Sequence, residues 1–198
     1  MQPKLRPGAF GSYPGVEFDG ANDILRIPDS EALHLGTRDF IVEVVFLRPT
    51  ILAVGSLFAK QAPSAPFRGI GLFAEAVIGS QPAEHLVVQL DVDHPILLAA
   101  EVPIGGRAYL LGIHRSSYHE FSMRLDGRLV GSRLLEQGSV IDASATGADA
   151  LIGGGRDVGQ SLRGAIAEIV VAADPTATDV EQLERYLSRR CNAALELP

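Results

Sequence analysis

Phe40-Ile41-Val42-Glu43-Val44-Val45-Phe46-Leu47 is the run whose reading decides the fold. Side chains of an extended segment point alternately to opposite faces. Phe40, Val42, Val44 and Phe46 therefore share one wholly apolar face, and Ile41, Glu43, Val45 and Leu47 share a second that is apolar except for one carboxylate. A strand covered on both sides belongs in the middle of a sheet. Upstream, Val16 and Phe18 alternate against Glu17 and Asp19, and the turn residues Asp19-Gly20-Ala21-Asn22-Asp23 lead into Ile24 to Ile27. That pattern predicts a hairpin.

Downstream, short strands are expected at 56–59, 69–74, 85–92 and 96–102, with Gly and Pro clusters between them. Tyr109, Leu111 and Ile113 alternate next. Phe121, Met123 and Leu125 then run into Asp126-Gly127 and return through Leu129 and Val130. Asp-Gly at this place predicts a type I′ hairpin turn, whose two central residues need positive φ. Leu151-Ile152 and Ala165 to Val171 supply further strands around a glycine-rich loop, 153–159. The spacing is that of an all-β sandwich. Only at the end does the period change: Thr178 and Glu181 have capping-box spacing, and Val180, Leu183, Leu187 and Cys191 recur on one helical stripe. One helix over 179–193 is predicted, docked on the sandwich with Cys191 buried. Residues 1–15, rich in Gly and Pro, read as an extended arm, and 16–198 as one domain.

The composition narrows the function classes. The 198 residues suit one domain with a sizeable core. A net charge of −7 argues against nucleic acid, which needs a basic face. One cysteine excludes an internal disulfide and a cysteine-based zinc site. No apolar run approaches the roughly 18 residues of a membrane span, and the N-terminus lacks the apolar core of a signal peptide. The expectation is a protein made in the cytoplasm. There is no Trp, the usual flat platform for sugar stacking.

Several segments, in order, resemble one family. Val16-Glu17-Phe18-Asp19-Gly20-Ala21-Asn22-Asp23, Leu25-Arg26-Ile27-Pro28-Asp29-Ser30 and Asp39-Phe40-Ile41-Val42-Glu43 are similar to the opening of a laminin-G-like domain of the concanavalin-A-like lectin/glucanase superfamily. Leu125-Asp126-Gly127-Arg128-Leu129-Val130-Gly131, Leu151-Ile152-Gly153-Gly154 and Leu162-Arg163-Gly164-Ala165-Ile166-Ala167-Glu168-Ile169 match its later strands. The resemblance spans about Val16 to Cys191. It implies a jelly roll of two antiparallel sheets, commonly a module that binds glycans or proteins, sometimes with calcium at the rim.

Candidate site residues follow. Asp19, Asn22 and Asp23 crowd oxygen donors into one turn and, with Asp142, are candidates for a calcium shell, although Asp and Asn also stabilise turns unaided. His114, Tyr118 and His119, bunched around Arg115 and two serines, and Arg156 in the glycine-rich loop are candidate contacts for a polar ligand, on segments expected to be exposed loops. A retaining glycosidase on this fold would need paired carboxylates about 5 Å apart. Asp91 and Asp93 share one strand face, and Glu43 stands alone among apolar residues; neither makes the E-x-D-x-E strand such enzymes use. The reading is a non-catalytic binding or structural module that recognises a surface glycan or protein. It would be a component of a phage or phage-like particle, such as a decoration, spike or fibre protein, oligomeric or attached through its arm. A calcium-dependent lectin is the alternative, followed by a glycoside hydrolase or lyase.

Overall fold

In a computed structural model, residues 2–47, 55–62, 69–77, 83–90, 96–102, 107–117, 119–135, 142–154 and 161–195 are described. They form two antiparallel sheets and one helix. The strands in chain order are β1 (Lys4–Phe10), β2 (Tyr13–Asp19), β3 (Leu25–Ile27), β4 (Phe40–Leu47), β5 (Gly55–Gln61), β6 (Gly69–Val77), β7 (Ala83–Leu90), β8 (Ile96–Val102), β9 (Ala108–Ser116), β10 (Glu120–Leu125), β11 (Arg128–Leu134), β12 (Ala150–Ile152) and β13 (Arg163–Ala173), followed by α1 (Ala177–Cys191). One sheet has seven strands in the order β1-β2-β13-β4-β9-β10-β11, the other six in the order β3-β12-β5-β6-β7-β8. This is the expected sandwich.

β4 is the middle strand of the seven, flanked by β13 and β9, as its two apolar faces require. Its Phe40, Val42, Val44 and Phe46 face the second sheet and pack with Phe18, Leu57, Leu72, Leu111, Phe121 and Met123 in the inter-sheet core. Val45 faces outward and packs with Leu110, Ala165, Leu187 and Cys191, so α1 covers the outer face of the sheet. Cys191 is fully buried there, and desolvation pushes its thiol up to about 11.

The β10–β11 hairpin forms on the predicted Asp-Gly turn, with φ of 52° at Asp126 and 82° at Gly127. Gly153 explains the apolar-Gly-Gly motif: its φ is +77°, and a Cβ there would stand 2.0 Å from the Phe18 ring. The chain leaving β12 thus passes directly over the core phenylalanine.

Three expectations are corrected. The Asp19–Asp23 turn does not close a hairpin, because β2 pairs with β13 in one sheet and β3 pairs with β12 in the other; the turn carries the chain across the sandwich. The helix starts earlier than the spacing suggested. Its N-cap is Thr176, whose Oγ1 accepts from the Asp179 amide while the Asp179 carboxylate accepts from the Thr176 amide. β13 ends at Ala173, Asp174 turns at φ 52°, and Pro175 leads straight into the cap, so Thr178 already lies in the first turn. His114 lies within β9, which extends to Ser116, and not in an exposed loop. Residues 4–10 of the N-terminal arm are extended, as strand β1 paired to β2 at the edge of the larger sheet.

Candidate functional site

At the corner where β1, β2 and β13 meet the end of β4, the outer face of the larger sheet is open. A cleft of about 620 Å3 lies there, lined by Lys4, Arg6, Glu17, Asp19, Asp23 and Arg163 over Phe18, Leu47 and Ala165. Register builds its chemistry. Lys4 stands opposite Glu17 and Arg163 opposite Asp19, while Glu17 and Asp19, two apart on β2, share a face. Arg6 Nη1 reaches Glu17 Oε1 at 3.1 Å, an exposed pair of little energetic weight. Lys4 and Arg163 make no ion pair among the described residues, which leaves two cationic donors aimed at the cleft.

The turn at its floor is knit by its own acids. Asp19 Oδ1 accepts from the amides of Ala21 (2.8 Å) and Asn22 (3.4 Å), and Asp23 Oδ2 accepts from the Asp19 amide at 3.0 Å. The Ala21 amide, chiefly, holds the Asp19 carboxyl below the ordinary carboxylate range. Asp23 is only 4 % exposed, and its Oδ1 is enclosed with no hydrogen-bond partner. That oxygen could face a cation. Asp19, Asn22 and Asp23 are thus brought together, but Asp142 is not. It precedes β12, accepts from the Ser144 amide, and is tied through Ala143 to Gly36 near the start of β4, whereas Asp19 lies beyond the end of β4. Calcium takes six to eight oxygens; this turn offers one free buried carboxylate oxygen, the outer Asp19 oxygen and its carbonyls, so the side chains alone do not complete a shell.

The other candidates scatter. His119 is exposed in the β9–β10 turn, whereas His114 points under α1, its Nε2 2.8 Å from Glu43 Oε1. Tyr118, Arg156, Asp91 and Asp93 lie outside the described residues. Glu43 is wholly buried, and desolvation raises its carboxyl against the opposing hydrogen bond of His114. Sequence reasoning missed Lys4, Arg6 and Arg163; Lys4 and Arg6 alternate with neutral residues in the segment read as an arm, and Arg163 lies in a segment quoted only for its likeness to a later strand.

No family model matches the sequence, and none of the curated proteins does. Solved structures match in shape. The heptameric SAP-like pentraxin of Limulus polyphemus superposes with a TM-score of 0.63 over 92 % of this chain and 84 % of its own, at 16 % identity. The CBM40 of the Ruminococcus gnavus IT-sialidase, bound to α2,3-sialyllactose, gives 0.64 over 87 % and 95 % at 14 % identity. Tailspike protein 2 of the Escherichia coli O157:H7 bacteriophage CAB120 gives 0.63 over 93 % of this chain and 26 % of the tailspike, at 14 % identity. The chain shares with them a two-sheet antiparallel jelly-roll fold. At these identities the likeness defines the fold alone, and function has to be argued from the site.

Proposed function

We propose that this chain is a non-catalytic, laminin-G-like binding module whose ligand is a surface glycan seated in the β1–β2–β13 cleft. The observation that supports it is the cleft wall, where the donors Lys4, Arg6 and Arg163 alternate with the acceptors Glu17 and Asp19, and Lys4 and Arg163 form no ion pair among the described residues. Sugar hydroxyls donate and accept at once, so a wall of mixed charged groups bonds them in pairs. With no Trp in the chain, recognition rests on hydrogen bonds rather than on indole stacking. The fold shared with the sialyllactose-bound CBM40 agrees with this reading. Catalysis by Glu43 is disfavoured because its carboxylate, buried under α1, has no surface to offer a polysaccharide. The role in a phage-like particle draws support from the shared tailspike fold.

The test is a glycan array followed by calorimetry. Wild type should bind at least one glycan class, and Arg163→Ala should weaken it at least tenfold with an unchanged melting temperature. Failure of the wild type to bind any glycan, or full binding by Arg163→Ala, rejects the reading. The orphan Asp23 oxygen favours a second reading, calcium at the β2–β3 turn with carbonyls and water completing the shell. In that case calcium raises the melting temperature of the wild type and not of Asp23→Asn, and chelator abolishes glycan binding.

A further inference from the structure

Under α1, the outer face of the larger sheet holds a buried polar cluster that neither the fold nor the glycan cleft uses. Glu43 stands in the middle of β4 with 0 % exposure. The sheet makes room for it: the residue opposite on β9 is Gly112, where a Cβ would lie 2.5 Å from Glu43 Oε1. His114, two residues further on β9, places Nε2 2.8 Å from Oε1. From the helix side comes Glu184, 1 % exposed, whose two oxygens receive Arg124 Nε at 2.7 Å and Nη2 at 3.1 Å. The second Glu43 oxygen, Oε2, is enclosed and has no hydrogen-bond partner. Two carboxyl groups, one imidazole and one guanidinium are thus packed together out of water with an empty carboxyl acceptor among them, a costly arrangement that a bound cation relieves.

We propose that Glu43, His114 and Glu184 form a binding site for one divalent transition-metal ion of the zinc class. One ligand atom from each residue already lies within 4.8 Å of the others. Zinc bonds of about 2.0–2.2 Å would require the three side chains to close on the ion, with water as the fourth ligand. One imidazole and two carboxylates suit zinc better than calcium, which takes oxygen throughout. Arg124 then serves as the outer partner that fixes the Glu184 carboxylate. A cleft of about 280 Å3, between Ile41, His114 and Arg124 on the sheet and Pro175 and Val180 on the helix side, reaches the cluster at His114 and Arg124. The bound ion clamps α1 to β4 and β9.

The experiment loads the full chain with zinc, removes the excess by dialysis, and reads metal content by mass spectrometry and affinity by competition with a chromophoric chelator. The wild type should retain one equivalent. His114→Gln and Glu43→Gln should each weaken affinity at least tenfold, whereas His119→Ala, an exposed histidine, should not. No retained zinc in the wild type, or unchanged affinity in both cluster variants, overturns the proposal; the cluster then carries a proton instead. If both variants fail to fold, the wild-type His114 ring nitrogen decides. Its 15N resonance should shift on the first equivalent of zinc, and a resonance that stays in place overturns the site. The outcome is independent of whether a glycan binds at the far corner.

Discussion

Asp126 concentrates several physical demands in one residue. It adopts φ 52° in the turn, its Oδ1 accepts from the buried Leu110 amide at 2.9 Å, its amide donates to Leu110 O at 2.7 Å, and its Oδ2 takes Arg107 Nη2 at 2.6 Å. Asp tolerates the left-handed region better than Ala because its short polar side chain bonds locally. Asp126→Ala leaves a buried amide unpaired and should cost about 2–3 kcal/mol. Urea unfolding should show a lower midpoint at unchanged slope, and Asp126→Asn, which keeps the acceptor, should lose less than half as much. This Asp-Gly turn was readable from sequence because its φ requirement is local. Glu43 was not: in sequence it is one acid among apolar residues, and its partner His114 comes from another strand, 71 residues away.

Among elements, α1 shows how far a pattern reaches. The stripe of Leu183, Leu187 and Cys191 correctly identified a helix docked by one face. Its start was misplaced by about half a turn because Thr178-x-x-Glu181 and Thr176-x-x-Asp179 are both plausible caps on paper. The choice belongs to the exit angle of β13. Thr176→Ala should therefore cost about 1 kcal/mol, whereas Thr178→Ala, exposed and off the cap, should stay within about 0.5 kcal/mol; paired denaturation curves separate the two. At the other end of the helix, Arg190 Nη2 donates to the Tyr13 hydroxyl at 2.6 Å and stacks over that ring, binding α1 to β2. The N-terminal residues reached the sheet for a similar reason: next to an exposed β2 edge, an extended segment gains a ladder of backbone hydrogen bonds.

At the scale of the whole molecule, the end of the sandwich opposite the cleft is held by Lys60 and Asp29. Lys60, 3 % exposed, donates to Asp29 Oδ1 (2.6 Å) and to the carbonyl of Ala148 (2.7 Å), and Asp29 Oδ2 accepts from the Gly147 amide at 2.7 Å. Lys60, chiefly, with Gly147 and His34, holds the Asp29 carboxyl far below its ordinary value of 3.8. A depressed carboxyl contributes stability that is fully present above its unfolded value and is lost as pH falls through the folded one. Amide exchange at Gly147 should therefore stay protected at pH 5 and open in strong acid. In Lys60→Met the Asp29 carboxyl returns toward its ordinary range, so the loss should move to higher pH; an unshifted acid profile by hydrogen exchange would contradict the linkage. No helix among the described residues is long and apolar enough to cross a membrane.

By itself the sequence determined the strands, the Asp-Gly hairpin and the amphipathic helix, since alternation and turn chemistry are properties of neighbouring residues. It also pointed to the sandwich, because a strand apolar on both faces must be covered twice. Only the tertiary structure decided which sheet each strand joins, as when the Asp19–Asp23 turn crosses between layers instead of closing a hairpin. It alone assembled Lys4, Glu17 and Arg163 into one wall and Glu43, His114 and Glu184 into one buried cluster. Those groupings depend on register and on the docking of α1, long-range packing that local patterns do not specify.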